Sequence, residues 1–525
     1  MRSGGRPLWG VVTAAEMAAI DREAVEECRI PPAALMERAG TEVARAVERL
    51  LEGRVAGARV HVLCGGGNNG GDGFVAARCL ANWGARVRVT TAVPPDRLKG
   101  EPLAFYTAAL KAGVHAASAG ETDLRMLSLA LKNCDVVVDA LLGTGARGPL
   151  RSPVAEMAEA VNEAGRPVVA VDIPTGVDAD TGKAAPAAVR AAVTVTFGLP
   201  KVGHLFYPGK AHTGELVVAD IGFPVELLAR VTHRILAGRE WAAAQLVPRP
   251  PHGHKGTFGR VVVVAGSRGM AGAAALAAQG ALRSGAGLVT WMGPESQLPL
   301  VQSLVPEATA RGLAEQEGGL AEEGAARALE ALRDGDAVAI GPGLGGGPGV
   351  DGFVLRFLEG CPCPAVIDAD ALNAIARRKR EVLRLAGPRR WIFTPHVKEA
   401  ARLLGTDAAE VAGAPWEAAE RLAEEFGCTV VLKGAPTVIR PAAGGIVING
   451  SGDVSLATGG TGDVLTGVIA SLLAQGYPPQ TAAALGAYVH GRAGELAGSK
   501  MGRHGALASD VARAVAAALA ELERG

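Results

Sequence analysis

Four glycine-rich stretches carry the residues that could do chemistry. Residues 459–467, GGTGDVLTG, put four glycines and one carboxylate, Asp463, at the start of a helical pattern. Backbone N–H groups at a glycine-rich helix start suit an anion such as a phosphate. A carboxylate there has two readings. Asp463 is a first-turn acid favoured by the helix dipole. Alternatively, it takes the proton from a hydroxyl that attacks a terminal phosphate held by the glycines. Residues 64–73, CGGGNNGGDG, set six glycines and the pair Asn68 and Asn69 between a strand and a helix. That exceeds what a tight turn capped by Asp72 requires and points to a ligand loop. Residues 139–150, DALLGTGARGPL, hold Gly143, Gly145 and Gly148 in G-x-G-x-x-G spacing. Pro149 follows and the helix starts only near Pro153, so this is not the standard dinucleotide turn. Asp139 stands at that strand's end, placed for a ligand or a metal. Residues 172–182, DIPTGVDADTG, begin with Asp172 at the end of an apolar strand. Partial desolvation there would raise its pKa and suit it to proton transfer. Asp178 and Asp180 read as turn formers.

Weaker pieces surround the 459–467 loop. GPGLGGG (341–347), DADALN (368–373), TPHVKEA (394–400, with His396 and Glu399) and LKGAPT (432–437, with Lys433) all follow strand patterns. Each alone fits a turn or a cap. These four pieces together with the 459–467 loop make a ligand cleft. The chain has no G-x-x-x-x-G-K-[ST] and no G-x-S-x-G, so a Walker-type NTPase and a hydrolase elbow are not expected. The His-Gly-His at 252–254 has no carboxylate or cysteine nearby and reads as exposed.

The elements that must position these loops alternate. Strand patterns at 58–64, 85–92, 134–142, 166–173, 192–198 and 215–222 are separated mostly by helical ones, such as 72–84 and 152–165, the latter capped by Ser152. Two helical patterns, 14–28 and 33–51, precede them. A Pro-, Gly- and His-rich stretch at 245–259 reads as a linker or entry loop. A second series follows at 260–266, 287–293, 336–343, 364–370, 390–395 and 429–434, closed by helices at 463–475, 480–497 and 509–523. Strand–helix repeats imply mostly parallel sheets covered on both faces. The reading is two α/β domains, 1–228 and 229–525.

Composition bounds the function. A chain of 525 residues, 49% hydrophobic, is too long for one core. Lysine plus arginine and aspartate plus glutamate balance at 53 each, so bulk charge draws it to neither nucleic acid nor anionic membrane. Aromatic content of 4% argues against base-stacking surfaces. Seven scattered cysteines read as reduced thiols. Glu16 and Asp21 interrupt the apolar stretch after Arg2 and Arg6, and no apolar run reaches membrane-spanning length. A soluble, cytoplasmic protein is expected.

These motifs together resemble a known family. HKGTFGRVVVVAGS (254–267), DADALN, TPHVKEA, LKGAPT, ATGGTGDVLTG (457–467) and HGRAG (490–494) are similar to the ADP/ATP-dependent NAD(P)H-hydrate dehydratases, whose fold is ribokinase-like. LMERAG (35–40), GGGNNGGDG, DALLGTG and DIPTGVDADTG resemble the NAD(P)H-hydrate epimerases, whose fold is Rossmann-like. The resemblance implies epimerisation of R and S hydrated NAD(P)H, and nucleotide-dependent dehydration of the S epimer with release of AMP and phosphate. It implies epimerase substrate contacts at Asn68, Asn69, Gly70, Gly71 and Asp72, at Gly143, Thr144, Gly145, Ala146, Arg147, Gly148 and Pro149, and at Asp172, also an acid/base candidate. Asn69, Asp139 and Thr175 match potassium ligands. In the other half Ala273, Gly345, His396 and Asp463 match hydrate contacts, with Asp463 the catalytic base. Lys433, Gly434, Ala435, Pro436, Thr437 and Gly462 match contacts to ADP or ATP, bound with magnesium. A homo-oligomer is expected, with the small molecules NADHX, NADPHX and nucleotide as its partners. Thr175, Val397, Lys398 and Gly66 depart from the pattern without removing a catalytic group. Two other readings stand beside this one: a vitamin or sugar kinase of ribokinase-like fold, and a noncatalytic N-terminal module.

Overall fold

A computed structural model of the chain describes residues 9–120, 123–332, 335–385 and 389–524. The chain divides into two compact units, Met1–Thr232 and His233–Gly525.

The first unit holds β1 (Arg59–Cys64), β2 (Arg86–Thr91), β3 (His115–Ser118), β4 (Val136–Ala140), β5 (Val168–Val171), β6 (Val193–Phe197) and β7 (Glu215–Ala219). They form one sheet in the order β3-β2-β1-β4-β5-β6-β7, every pair parallel. The valine-rich central strands β1, β4 and β5 are buried on both faces, as a covered parallel sheet requires. The strand order reverses direction at the β1–β4 boundary, where a doubly wound sheet opens a crevice at its carboxyl edge. The helix after β1 spans Asn68–Asn82, not 72–84 as its pattern suggested. Its glycines explain the early start. A Cβ on Gly70 would overlap the Gly65 carbonyl, and one on Gly73 would lie 2.6 Å from Ala140 Cβ and 2.8 Å from Cys64 Sγ. Without side chains the first turns seat directly on β1 and β4. The helix at 154–164 is capped at Pro153 with no side-chain bond, so Ser152 is not its cap.

The second unit contributes β8 (Arg234–Ala237), β9 (Arg260–Val264), β10 (Leu288–Pro294), β11 (Thr309–Leu313), β12 (Glu315–Gln316), β13 (Gly319–Leu320), β14 (Ala337–Ile340), β15 (Ala365–Ile367), β16 (Trp391–Phe393), β17 (Thr429–Leu432), β18 (Val438–Arg440) and β19 (Ile446–Asn449). Ten of them form a sheet ordered β11-β10-β9-β14-β15-β16-β17-β18-β19-β8. It is parallel except where β17, β18 and β19 pair antiparallel. Because β8 pairs with β19 and precedes residues 245–259, that stretch lies inside the second unit and is not a linker between the two. Its length hid β8 in the sequence: it is four residues, Arg234–Ala237, with only Ala237 fully buried.

The helix Thr461–Ala474 is buried along almost its whole length. It packs on the helix Ala271–Arg283 through glycines. A Cβ on Gly467 would overlap the Ala277 carbonyl, and one on Gly280 the Val464 carbonyl. Gly467→Ala is therefore expected to destabilise the second unit by about 1–3 kcal/mol, the typical cost of overpacking, read as a lower denaturant midpoint.

Candidate functional sites

The first unit carries a cavity of about 790 Å³ lined by Asn68, Asn69, Asp72, residues 143–146, Asp172 and Lys201, and by Asp21 and Met36. These groups come from the ends of β1, β4, β5 and β6, around the β1–β4 boundary. Gly70 and Gly71 pack inward against Gly65 and Met36. Arg147 lies outside the cavity wall, 2.6 Å from Asp180, so Asp180 ties down the 143–149 loop as well as bonding the Ala14 amide at 2.6 Å.

Asp172 sits just beyond β5 at φ 64°, a left-handed conformation that costs a non-glycine residue energy and clusters at functional sites. Its Oδ1 accepts from Lys201 Nζ at 2.7 Å and Thr196 Oγ1 at 3.0 Å. His204 Nε2 bonds its carbonyl at 2.9 Å. The sequence suggested a raised pKa. Burial does push the Asp172 carboxyl up, but the adjoining Lys201 charge and bond outweigh it and hold the group below the usual carboxylate range. Asp172 is an anion. Asp72, buried and facing the Asp172 and Asp21 charges, is pushed well upward. Two carboxyls on one cavity are thus driven apart, the arrangement that assigns an acid and a base.

Behind the cavity wall Asp139 is fully buried. Its carboxylate accepts from Thr175 N at 2.8 Å and Thr175 Oγ1 at 2.7 Å. Asn69 Nδ2 is buried without a partner. Exchanging the ends of that amide would turn an oxygen to the same point. Carboxylate, hydroxyl and amide oxygen make a hard-cation set, so the residues fit potassium.

In the second unit four neighbouring parallel strands, β14, β15, β16 and β17, deliver their carboxyl ends to one edge. Gly345, after β14, donates its N–H to Asp370 Oδ2 at 2.9 Å. Ala273 abuts Gly343, where a Cβ would lie 2.9 Å from the alanine's. Asp368, after β15, is 1% exposed. His396, after β16, caps the helix Val397–Leu404, its Nδ1 accepting from the Lys398 and Glu399 amides at 3.0 and 3.3 Å. That places the ring proton on Nε2. Lys433, after β17, is bridged in register to His396 and opens the 433–437 turn into β18. Its Nζ bonds Asp368 Oδ1 at 2.7 Å, so the ammonium is not free for phosphate alone. A Cβ on Gly462 would meet that Nζ at 3.4 Å, which places the start of the helix Thr461–Ala474 against the lysine. Asp463 occupies the first turn of this helix. Burial, then the Asp368 charge, push its carboxyl up to about 7, against the opposing pull of Lys433.

Sequence reasoning missed Lys201, Thr466 and the role of Asp368. Lys201 follows β6 in FGLPK, and a lysine immediately past a buried strand end was the available signal.

Comparisons with known proteins match both halves of the chain. Residues 32–203 match the family described as YjeF-related protein N-terminus. Residues 261–516 match the family described as NAD(P)H-hydrate dehydratase. The bifunctional NAD(P)H-hydrate repair enzyme Nnr of Moorella thermoacetica is 43% identical over 95% of this chain and 95% of its own. That of Thermofilum pendens is 39% identical over 94% and 93%. That of Escherichia coli K12 is 35% identical over 86% and 83%. Matched in both halves and across nearly its whole length, the chain belongs to the family of bifunctional NAD(P)H-hydrate repair enzymes.

Proposed function

We propose that the first unit interconverts the R and S epimers of hydrated NADH and NADPH, and that the second dehydrates the S epimer at the expense of a nucleotide. The observation that carries the second half is Asp463, a half-buried carboxyl held near 7 beside Lys433 and the glycine-rich helix start. Hydroxide leaves poorly and phosphate well. Asp463 takes the proton of the substrate hydroxyl as its oxygen attacks the terminal phosphorus of ADP, and AMP departs. Phosphate then leaves with the C–O bond as the ring nitrogen's lone pair pushes. Loss of a proton from the adjacent carbon restores the double bond. Lys433, the Gly462 amide and the 434–437 turn would hold the nucleotide phosphates, with magnesium entering as part of the nucleotide complex. His396 offers Nε2–H, and Ala273 and Gly345 flank the hydrate. A base at about 7 predicts that kcat/KM for dehydration falls below roughly pH 7, read from a pH–rate profile with the purified S epimer.

In the first unit Asp172 is the base. Asn69, Asp139 and Thr175 would hold potassium, whose positive charge would balance buried Asp139 and tie the ligand loops together. Epimerisation should rise on adding potassium and dehydration should not. Asp139→Asn should abolish that response, checked with the separated R epimer. All seven cysteines are free, which supports a reducing, cytoplasmic setting. Among the described residues no helix is long and apolar enough to cross a membrane.

The kinase alternative shares the second-unit chemistry. The first unit's cavity, with its opposed carboxyls, favours hydrate repair. Supplying hydrated NADH with ADP and watching the reduced-nicotinamide absorbance return tests the choice.

A further inference from the structure

Asp368 is buried at the end of β15 and touches two elements at once. Its Oδ1 accepts from Lys433 Nζ at 2.7 Å. Its Oδ2 accepts from Thr466 Oγ1 at 2.7 Å. Thr466 lies one helical turn beyond Asp463, and Lys433 begins the 433–437 turn. Gly462 fits between them, since a Cβ there would sit 3.4 Å from Lys433 Nζ and 3.8 Å from Asp368 Oδ2.

We infer that Asp368 is a positioning residue for the dehydration step: it locks the nucleotide turn to the helix that carries Asp463. This rests on Asp463 being the base. Asp368 bonds both elements at once, the turn through Lys433 and the helix through Thr466. Asp368 is also the largest charge acting to keep the Asp463 proton on, and Lys433 is the counter-charge. The other titratable groups facing Asp463 are Asp370 and Glu399, and the Lys433 charge also lowers His396 and His490.

Asp368→Asn separates charge from structure. An asparagine oxygen still accepts from Lys433. Its amide can donate to Thr466 Oγ1, whose own proton then goes to the Gly462 carbonyl, already 3.1 Å away. Only the negative charge is lost. A charge within a few ångströms moves a neighbour's titration by about one unit or more. The acid limb of kcat/KM for S-epimer dehydration by the full chain should therefore move down by about one pH unit in Asp368→Asn. It should move up in Lys433→Met, and return toward wild type in the double variant. Thr466→Val, which removes one arm of the lock and keeps the charge, should lower kcat and leave the limb in place. An unmoved limb in a folded Asp368→Asn overturns the inference. If that variant does not fold, an unmoved or downward limb in Lys433→Met does so. A wild type that dehydrates nothing refutes the reading of Asp463 instead, a distinguishable outcome.

Discussion

Asp463→Asn is expected to lose dehydration by at least about 10²–10⁴-fold, the usual worth of a positioned base, while the protein becomes more stable at alkaline pH. The two effects have one cause. In the folded chain the Asp463 carboxyl titrates near 7, above its ordinary value of 3.8. A raised carboxyl contributes stability that is fully present below the unfolded pKa and lost as pH rises through the folded one. Between about pH 4 and 7 wild type progressively gives up that contribution. Above 7 it holds a partly buried, partly uncompensated anion. Asparagine carries no such cost. The variant should therefore gain stability on the order of 3 kcal/mol above pH 7, with the difference closing below about pH 4. Thermal unfolding across pH, beside the rate of NADH recovery from the S epimer, checks both halves. A variant that is inactive and also less stable at alkaline pH would place Asp463 in a structural role.

Lys201→Met carries the second large effect. Lys201 is 1% exposed and its ammonium is held by Asp172, Thr196 and the Phe197 carbonyl. Removing one partner of a buried ion pair leaves the other uncompensated, at about 3–5 kcal/mol. Epimerisation should disappear with it, since Asp172 would no longer be held as an anion. The pH sign follows from the depressed Asp172 titration. A depressed carboxyl gives stability that is present above the unfolded pKa and lost as pH falls through the folded one. Wild type should therefore lose stability on acidification faster than the variant, and the gap between them should narrow. Unfolding of the first unit at neutral pH and near pH 4 measures this. Dehydration of the S epimer in the second unit should be untouched.

The parallel α/β organisation of both halves was legible because each core strand is a run of valine, isoleucine or alanine between helical patterns. Asp463, Asp172 and Asp139 were legible because a carboxylate at a strand or helix end beside glycines stands out. What escaped had no local signature. Strands β11, β18, β19 and β8 lie toward the sheet edges, where short, mixed polar runs suffice. The start of the helix at Asn68 depended on Gly70 fitting against Gly65, a contact between residues that read simply as a loop. The charge state of Asp172 depended on Lys201, which follows a different strand. Its pKa was misjudged because desolvation is visible in an apolar sequence context and a partner 29 residues away is not. Asp368 was noticed as a strand-end acid, but its two bonds reach 65 and 98 residues along the chain.

The central claim is that one chain repairs both epimers through two separate sites. The most direct test gives separated R and S hydrated NADH, with ADP and magnesium, to wild type, Asp463→Asn and Asp172→Asn, and follows the reduced-nicotinamide absorbance. Wild type should recover both epimers and Asp463→Asn neither. Asp172→Asn should recover S at the wild-type rate and R only as fast as it epimerises spontaneously. Wild type that recovers neither epimer yet phosphorylates a vitamin or sugar alcohol would contradict it.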